Sequence, residues 1–310
     1  MKRGFISGII LSLVVAFITL GYVGVSNAQE NRPTHTIKPW PASFTPTPSP
    51  SPTPTPPSYP PAVEPFKYAA LGDSVASGLG LPYVDSATAQ DKRCGRSSQA
   101  YPYLVGQQLN LKVGLFACSG ASSGDLYTRQ WISNYNPRIQ VDQAFSQGRP
   151  ELISITIGAN DVQWSQQIRR CYYGTCGTTT QNRLAKLRLA LLQQRLHYVM
   201  QQIQDRSNGR PPTVVVTGYY NPISQTCAQL YPDRITSQEV DWVSNGVKKL
   251  NDGLHQVAKQ YSFTSFATVD FSGHDICSSS PWVQSLTDPA PLHPTAEGQK
   301  AIAQAVVAAY

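Results

Sequence analysis

Five short apolar segments constrain this chain most, at residues 67–71, 112–117, 152–157, 213–217 and 266–271. Each is largely continuous in Ala, Val, Ile, Leu and Phe. A strand with one wet face would alternate apolar and polar residues, so continuous runs of this length read as strands buried on both faces. Helical segments separate them. The clearest covers 183–204, where Leu189, Leu192, Leu196, Val199 and Ile203 recur at three- and four-residue steps while Lys186, Arg188, Gln193 and Arg195 occupy other positions. Others span about 238–261 and about 294–309, the last with Pro294 in its first turn. Strands that alternate with helices predict an α/β fold, a parallel sheet covered by helices on both faces. Sites in such sheets form at the carboxyl ends of the strands.

The pattern starts only after residue 63. Residues 41–63 are almost entirely Pro, Thr and Ser. Proline fixes φ and removes a backbone donor, so this stretch reads as an extended spacer, part of a linker region over 29–63. Residues 1–28 read as a secretory signal peptide. Lys2 and Arg3 precede an uncharged apolar run, and Ser26-Asn27-Ala28 forms a small-x-small cleavage site. The run is long enough that, uncleaved, it would serve as an anchor. Either way the chain is directed outward, secreted or held at a membrane or cell wall through its N-terminus. The folded domain is then 64–310, long enough for one full core.

All six cysteines, Cys94, Cys118, Cys171, Cys176, Cys227 and Cys277, lie in that domain. An even count behind an export signal points to disulfides rather than zinc, and spacing alone leaves fifteen connectivities open. The net charge of +7 falls to +5 without Lys2 and Arg3, and no dense basic run supports nucleic-acid binding. No metal or organic cofactor is implied, and the protein is expected to act as a monomer.

Three strand segments end in unusual polar sequences: Gly72-Asp73-Ser74, Ser119-Gly120-Ala121 and Gly158-Ala159-Asn160-Asp161. His293-Pro294 stands before the last helix. A serine hydroxyl needs an adjacent base to act as a nucleophile, and a tetrahedral intermediate needs donors aimed at its oxyanion. Ser74 fits the nucleophile and His293 the base. The backbone N–H groups of Ser74 and Gly120 and the side-chain amide of Asn160 fit the oxyanion hole. Singly, each has a plainer reading: a turn and cap for Gly72-Asp73-Ser74, a turn glycine for Gly120, a helix cap for Asn160-Asp161. Asp161 is expected to cap, which leaves Asn160 to face the site. His274 is the rival base, because it follows the fifth strand.

Taken in order, these blocks resemble the four sequence blocks of the SGNH hydrolases, also called the GDSL family. The resemblance covers 68–310. It implies a flavodoxin-like α/β/α sandwich with a five-stranded parallel sheet of order 2-1-3-4-5. It also implies hydrolysis of carboxylic esters, by an esterase or lipase acting on small-molecule, lipid or sugar esters. The cysteines and the stretch 271–277, followed by Pro281-Trp282, are similar to the secreted actinobacterial-type esterases. That branch implies the pairing Cys94–Cys118, Cys171–Cys176 and Cys227–Cys277.

One position departs from the family. Members usually carry Asp three residues before the catalytic His, where this chain has Ala290. Either Asp288 or the backbone carbonyl of Ala290 or a neighbour is expected to orient His293. Two other functions remain open at this point: an acyltransferase using the same site, or an inactive carbohydrate-binding surface protein.

Overall fold

The computed structural model describes residues 64–130 and 137–310. The chain separates into Met1–Tyr59 and Pro60–Tyr310, and every described residue belongs to the second unit. The signal or anchor and the spacer expected over 1–28 and 29–63 lie outside the described residues.

Five strands form one sheet: β1 (Tyr68–Gly72), β2 (Val113–Leu115), β3 (Leu152–Thr156), β4 (Thr213–Thr217) and β5 (Thr264–Ala267). All neighbours are parallel and the order is β2-β1-β3-β4-β5. β1 and β3 are buried at every position, which is why their sequences do not alternate. β2 is shorter than its apolar run. The N–H groups of Phe116 and Ala117 both turn onto the carbonyl of Ala70, which ends the regular ladder. β5 begins two residues before the expected segment and stops at Ala267. Val269 and Phe271 stay buried, but in the connection that follows, where Phe271 stacks on Tyr220 at 4.3 Å.

Short helices α1 (Ser74–Ser77), α2 (Ala89–Cys94), α3 (Tyr101–Leu109) and α4 (Gln140–Ala144) fall in the connections around β2. α5 (Trp164–Tyr173) and α6 (Thr179–Arg206) join β3 to β4, and α7 (Gln225–Leu230) and α8 (Ser237–Ala258) join β4 to β5. α9 (Ala296–Ala309) ends the chain. α3 packs on α9 and α6 packs on α8, giving the two helical layers. α6 and α8 each open with a capping box, Thr178 with Gln181 and Thr236 with Glu239. The stripe read in 183–204 is the face that packs inward. Leu192, Leu196, Val199 and Ile203 are fully buried, each contributing about 1.5–3 kcal/mol.

Candidate active site

The site begins at the end of β1. A Cβ on Gly72 would stand 2.1 Å from the carbonyl oxygen of Thr156, and its φ is +136°, so only glycine lets β1 end this close to β3. Gln140 holds that end in place: its Oε1 accepts from Gly72 N at 2.7 Å and its Nε2 donates to Gly72 O at 3.0 Å. Asp73 then caps α1, accepting from Val75 N at 2.9 Å. Ser74 is the first residue of α1, so its own N–H has no acceptor within the helix.

His293 reaches this serine from the other end of the chain. Its Nε2 lies 2.7 Å from Ser74 Oγ, and its Nδ1 lies 3.1 Å from the carbonyl oxygen of Pro291. A carbonyl only accepts, so Nδ1 carries the hydrogen and Nε2 is left to accept from the serine hydroxyl. Burial pushes the imidazole below its ordinary range, against the carbonyl bonds that favour the charged form. Gln299 on α9 ties the two partners together. Its Nε2 donates to Val75 O at 3.0 Å and its Oε1 accepts from Tyr101 N at 2.8 Å.

Of the orienting groups anticipated from sequence, a carbonyl next to Ala290, that of Pro291, lies on the imidazole, and Asp288 does not. Asp288 is exposed and accepts from Ser285 N at 2.6 Å. The Ala290 carbonyl takes the main-chain N–H of His293 at 3.1 Å. The cause lies in Leu292, whose φ of 69° is left-handed and turns the Pro291 carbonyl onto the ring two residues on. Tyr220 Oη donates to the Leu292 carbonyl at 2.7 Å and Leu292 N donates to Gln284 O at 3.1 Å, which holds this strained turn.

Ser74, Gly120, Asn160 and His293 line one pocket of about 170 Å³. The Asn160 amide spends one hydrogen on the Ala121 carbonyl at 2.8 Å, which leaves the other for a ligand in this pocket. Gly120 has a φ of +79°, so the chain reverses where it lines this pocket. Asp161 does not cap a helix. It accepts from Ser123 N at 2.8 Å and Ser123 Oγ at 2.5 Å, with Arg195 Nη1 at 3.4 Å, and thereby binds the Gly120 loop to the Asn160 loop. The position before α5 belongs to Gln163 instead. His274 stacks on Trp282 at 3.7 Å, and its Nδ1 pairs with the Ser280 carbonyl at 2.7 Å.

The model of the GDSL-like Lipase/Acylhydrolase family matches residues 70–301. This chain belongs to that family. It is 31% identical over 249 residues to a lipase from Streptomyces rimosus, an alignment covering 77% of this chain and 84% of the relative. It is 32% identical to Lipase 1 of Streptomyces coelicolor, across 75% of this chain and 82% of that one. The solved structure of an extracellular lipase from Streptomyces rimosus superposes with a TM-score of 0.64 at 27% identity, covering 79% of this chain and all of that one. This GDSL-like hydrolase is a carboxylic ester hydrolase with the α/β/α fold and strand order expected.

Two features of this GDSL-like hydrolase, Tyr219 and Trp164, had no sequence signal, and a third, the Pro291 carbonyl, was expected only as an unspecified neighbour of Ala290. Tyr219, just beyond β4, donates its hydroxyl to Asp73 and accepts from Ala159 N at 3.2 Å, joining the serine turn to the Asn160 loop. Burial raises the Asp73 carboxyl to about 7, against the bonds from Tyr219 and Val75. Burial, reinforced by the Asp73 charge, holds the Tyr219 hydroxyl well above the usual range. Pro291 supplies the orienting carbonyl, and Trp164 closes one side of the pocket. None of the three belongs to a motif block.

The six cysteines form Cys94–Cys118, Cys171–Cys176 and Cys227–Cys277. The first ties the segment after β2, which carries Gly120, to α2. Arg96 reinforces it by donating to Ala117 O at 2.9 Å and Phe116 O at 3.0 Å.

Proposed function

We propose that this protein is a secreted serine esterase or lipase that works through an acyl-enzyme on Ser74. The observation that carries this reading is the 2.7 Å approach of His293 Nε2 to Ser74 Oγ, with Nδ1 engaged on the Pro291 carbonyl. Ser74 Oγ attacks the ester carbonyl carbon while its proton passes to Nε2. The carbonyl oxygen becomes an oxyanion, held by the N–H groups of Ser74 and Gly120 and the free amide hydrogen of Asn160. As the tetrahedral centre collapses, the imidazolium gives its proton to the leaving alcohol. Water then attacks the acyl carbon while Nε2 takes its proton, and the imidazolium returns that proton to Ser74 Oγ as the C–Oγ bond breaks and the acid leaves. The Pro291 carbonyl fixes the tautomer without adding a negative charge, so the machinery is a dyad.

Secretion is supported by the export signal read in residues 1–28 and by the extracellular relative from Streptomyces rimosus. The test is hydrolysis of p-nitrophenyl acetate by wild-type protein and Ser74→Ala, with mass spectrometry after treatment with a serine-directed phosphonate. The expected result is a loss of several orders of magnitude in kcat in the variant and a single adduct on Ser74. Near-wild-type turnover by folded Ser74→Ala would overturn the mechanism.

A further inference from the structure

We propose that Gln130 is a positioning residue for the oxyanion hole: its side-chain amide locks the Ser119–Gly120 peptide in the orientation that presents the Gly120 N–H to the ester. The proposal deepens the reading of Gly120 as an oxyanion donor and rests on it.

The peptide lies at the centre of a β-turn. Ala121 N donates to the Cys118 carbonyl at 3.1 Å, which closes the turn over 118–121. Gly120, the third residue, has a φ of +79°, and Ser119, the second, does not have a positive φ. That combination is a type II turn. A type I turn joins the same ends with its central peptide reversed, so the Gly120 N–H points one way in the first and the opposite way in the second. Glycine accepts either sign of φ about equally. The surroundings of the turn do not choose between them, because they grip its ends and not its centre. Cys118 N donates to the Gly72 carbonyl at 3.0 Å and Ser119 N to the Cys94 carbonyl at 2.9 Å. The Ala121 carbonyl accepts from the Asn160 amide at 2.8 Å.

Gln130 makes the choice. Its Nε2 donates to the Ser119 carbonyl at 2.8 Å. That carbonyl belongs to the same peptide as the Gly120 N–H, and in a trans peptide the two point in opposite directions. Ser119 and Gly120 line the pocket over Ser74, and Gln130 does not. Holding the carbonyl on the Gln130 side therefore turns the N–H to the pocket side. The Gly120 N–H has no acceptor among the described residues, as an oxyanion donor requires. A carbonyl that accepts a hydrogen bond also polarises its own peptide, which strengthens the N–H as a donor. The amide is dedicated to this contact: Gln130 is buried, and its Oε1 has no partner among the described residues. Space is not the reason for glycine in the turn. A Cβ at Gly120 would meet only Gln130 Nε2, at 3.7 Å, an ordinary contact. Glycine is there for its φ.

The experiment follows p-nitrophenyl acetate hydrolysis across pH, and inactivation by a serine-directed phosphonate. It compares wild-type protein with Gln130→Met, Gln130→Glu, Gly120→Ala and the double variant Gln130→Met/Gly120→Ala. Gln130→Met keeps the side-chain length and removes the donor, and Gln130→Glu replaces the donor by an acceptor. Both should lower kcat by about tenfold or more, up to the roughly 10²–10³ of losing a whole oxyanion donor, with KM changed less than about twofold. Inactivation by the phosphonate should slow in parallel, and the acid limb should stay at its wild-type pH because His293 is untouched. Gly120→Ala should show the same signature, and adding Gln130→Met to it should cost less than about twofold more, since both act through one peptide. A kcat within about twofold of wild type in folded Gln130→Met, a shifted acid limb, or full additivity in the double variant would overturn the proposal. So would failure of both Gln130 variants to fold, because the amide would then serve the core. An unimpaired Gly120→Ala would instead remove Gly120 as a donor, and this proposal with it. If wild-type protein neither hydrolyses acetate nor takes the phosphonate on Ser74, the reading of Ser74 fails first.

Discussion

Replacing Tyr219 by Phe removes one hydroxyl and two hydrogen bonds, and the loss should depend on pH. In the wild type that hydroxyl accepts from Ala159 N and donates to Asp73, whose carboxyl is fully buried and raised to about 7. At about pH 5.5 Asp73 is neutral. The variant then loses one neutral bond, at about 1 kcal/mol, and leaves the Ala159 N–H without its acceptor, at about 1–3 kcal/mol. At about pH 8.5 Asp73 is ionised in wild type, and a bond to a charged group is worth about 1.5–3 kcal/mol. The variant should therefore be destabilised by ~1–2 kcal/mol more at the higher pH. The sign follows from linkage. Asp73 in the fold has a carboxyl above its ordinary 3.8, so the stability it contributes is full below that value and is lost as pH rises through 7. Removing a donor that favours the ionised form raises the folded value further and carries the loss to higher pH. Urea melts at the two pH values measure this. A domain of this size should also show melting temperatures shifted by about 2–4 °C per kcal/mol. Equal destabilisation at both pH values, or a total below ~0.5 kcal/mol, would refute the role assigned to the Asp73–Tyr219 pair.

Three further outcomes follow from the site. Asp288→Asn should change kcat less than threefold by the dyad geometry, whereas a true triad aspartate would show a loss of about 10⁴, so a drop beyond about a hundredfold would restore Asp288 as partner. Asn160→Ala should lower kcat by about 10²–10³ with little change in KM, as measured on p-nitrophenyl acetate, because the proposed mechanism gives its amide to the oxyanion. The acid limb of the kcat/KM profile should fall below the ordinary imidazole value of about 6.5, since burial favours neutral His293 and the base is lost only as pH drops through that lowered value. A limb above 7 would contradict it.

The legible parts of this chain are those where one physical signal dominates. Strands β1, β3 and β4 are buried on both faces, and their apolar runs mark them within a residue or two. β5 was displaced because it is an edge strand that opens with Thr264 and Ser265, while the apolar residues Val269 and Phe271 pack from a loop. Ser74, Gly120, Asn160 and His293 stand out because each follows a strand or precedes a helix in a short, unusual block. Tyr219 and Trp164 do not, because a tyrosine just past a strand or a tryptophan opening a helix reads as ordinary core. A backbone carbonyl beside Ala290 was expected, but which one was not legible, because a carbonyl carries no residue type. It depends on the left-handed turn at Leu292, and nothing in Pro-Leu-His announces a positive φ for leucine. Asp161 looked like a cap because it precedes a helix, but its acceptors serve Ser123 on a loop that is distant in sequence.

The contact between Ser74 and His293 joins residues 219 positions apart. Ribosomes make a chain from its N-terminus, and domains fold in that direction as they emerge. Ser74, the Gly120 loop and the Asn160 loop are therefore synthesised long before His293, the proposed base. The turn at Leu292 that aims the imidazole, and the Gln299 clamp on α9, lie in the same stretch as His293. A nascent or truncated copy is chemically silent toward the esters around it. By this reading hydrolysis starts only when α9 has closed on α3, so turnover reports that two parts of the chain distant in sequence have docked.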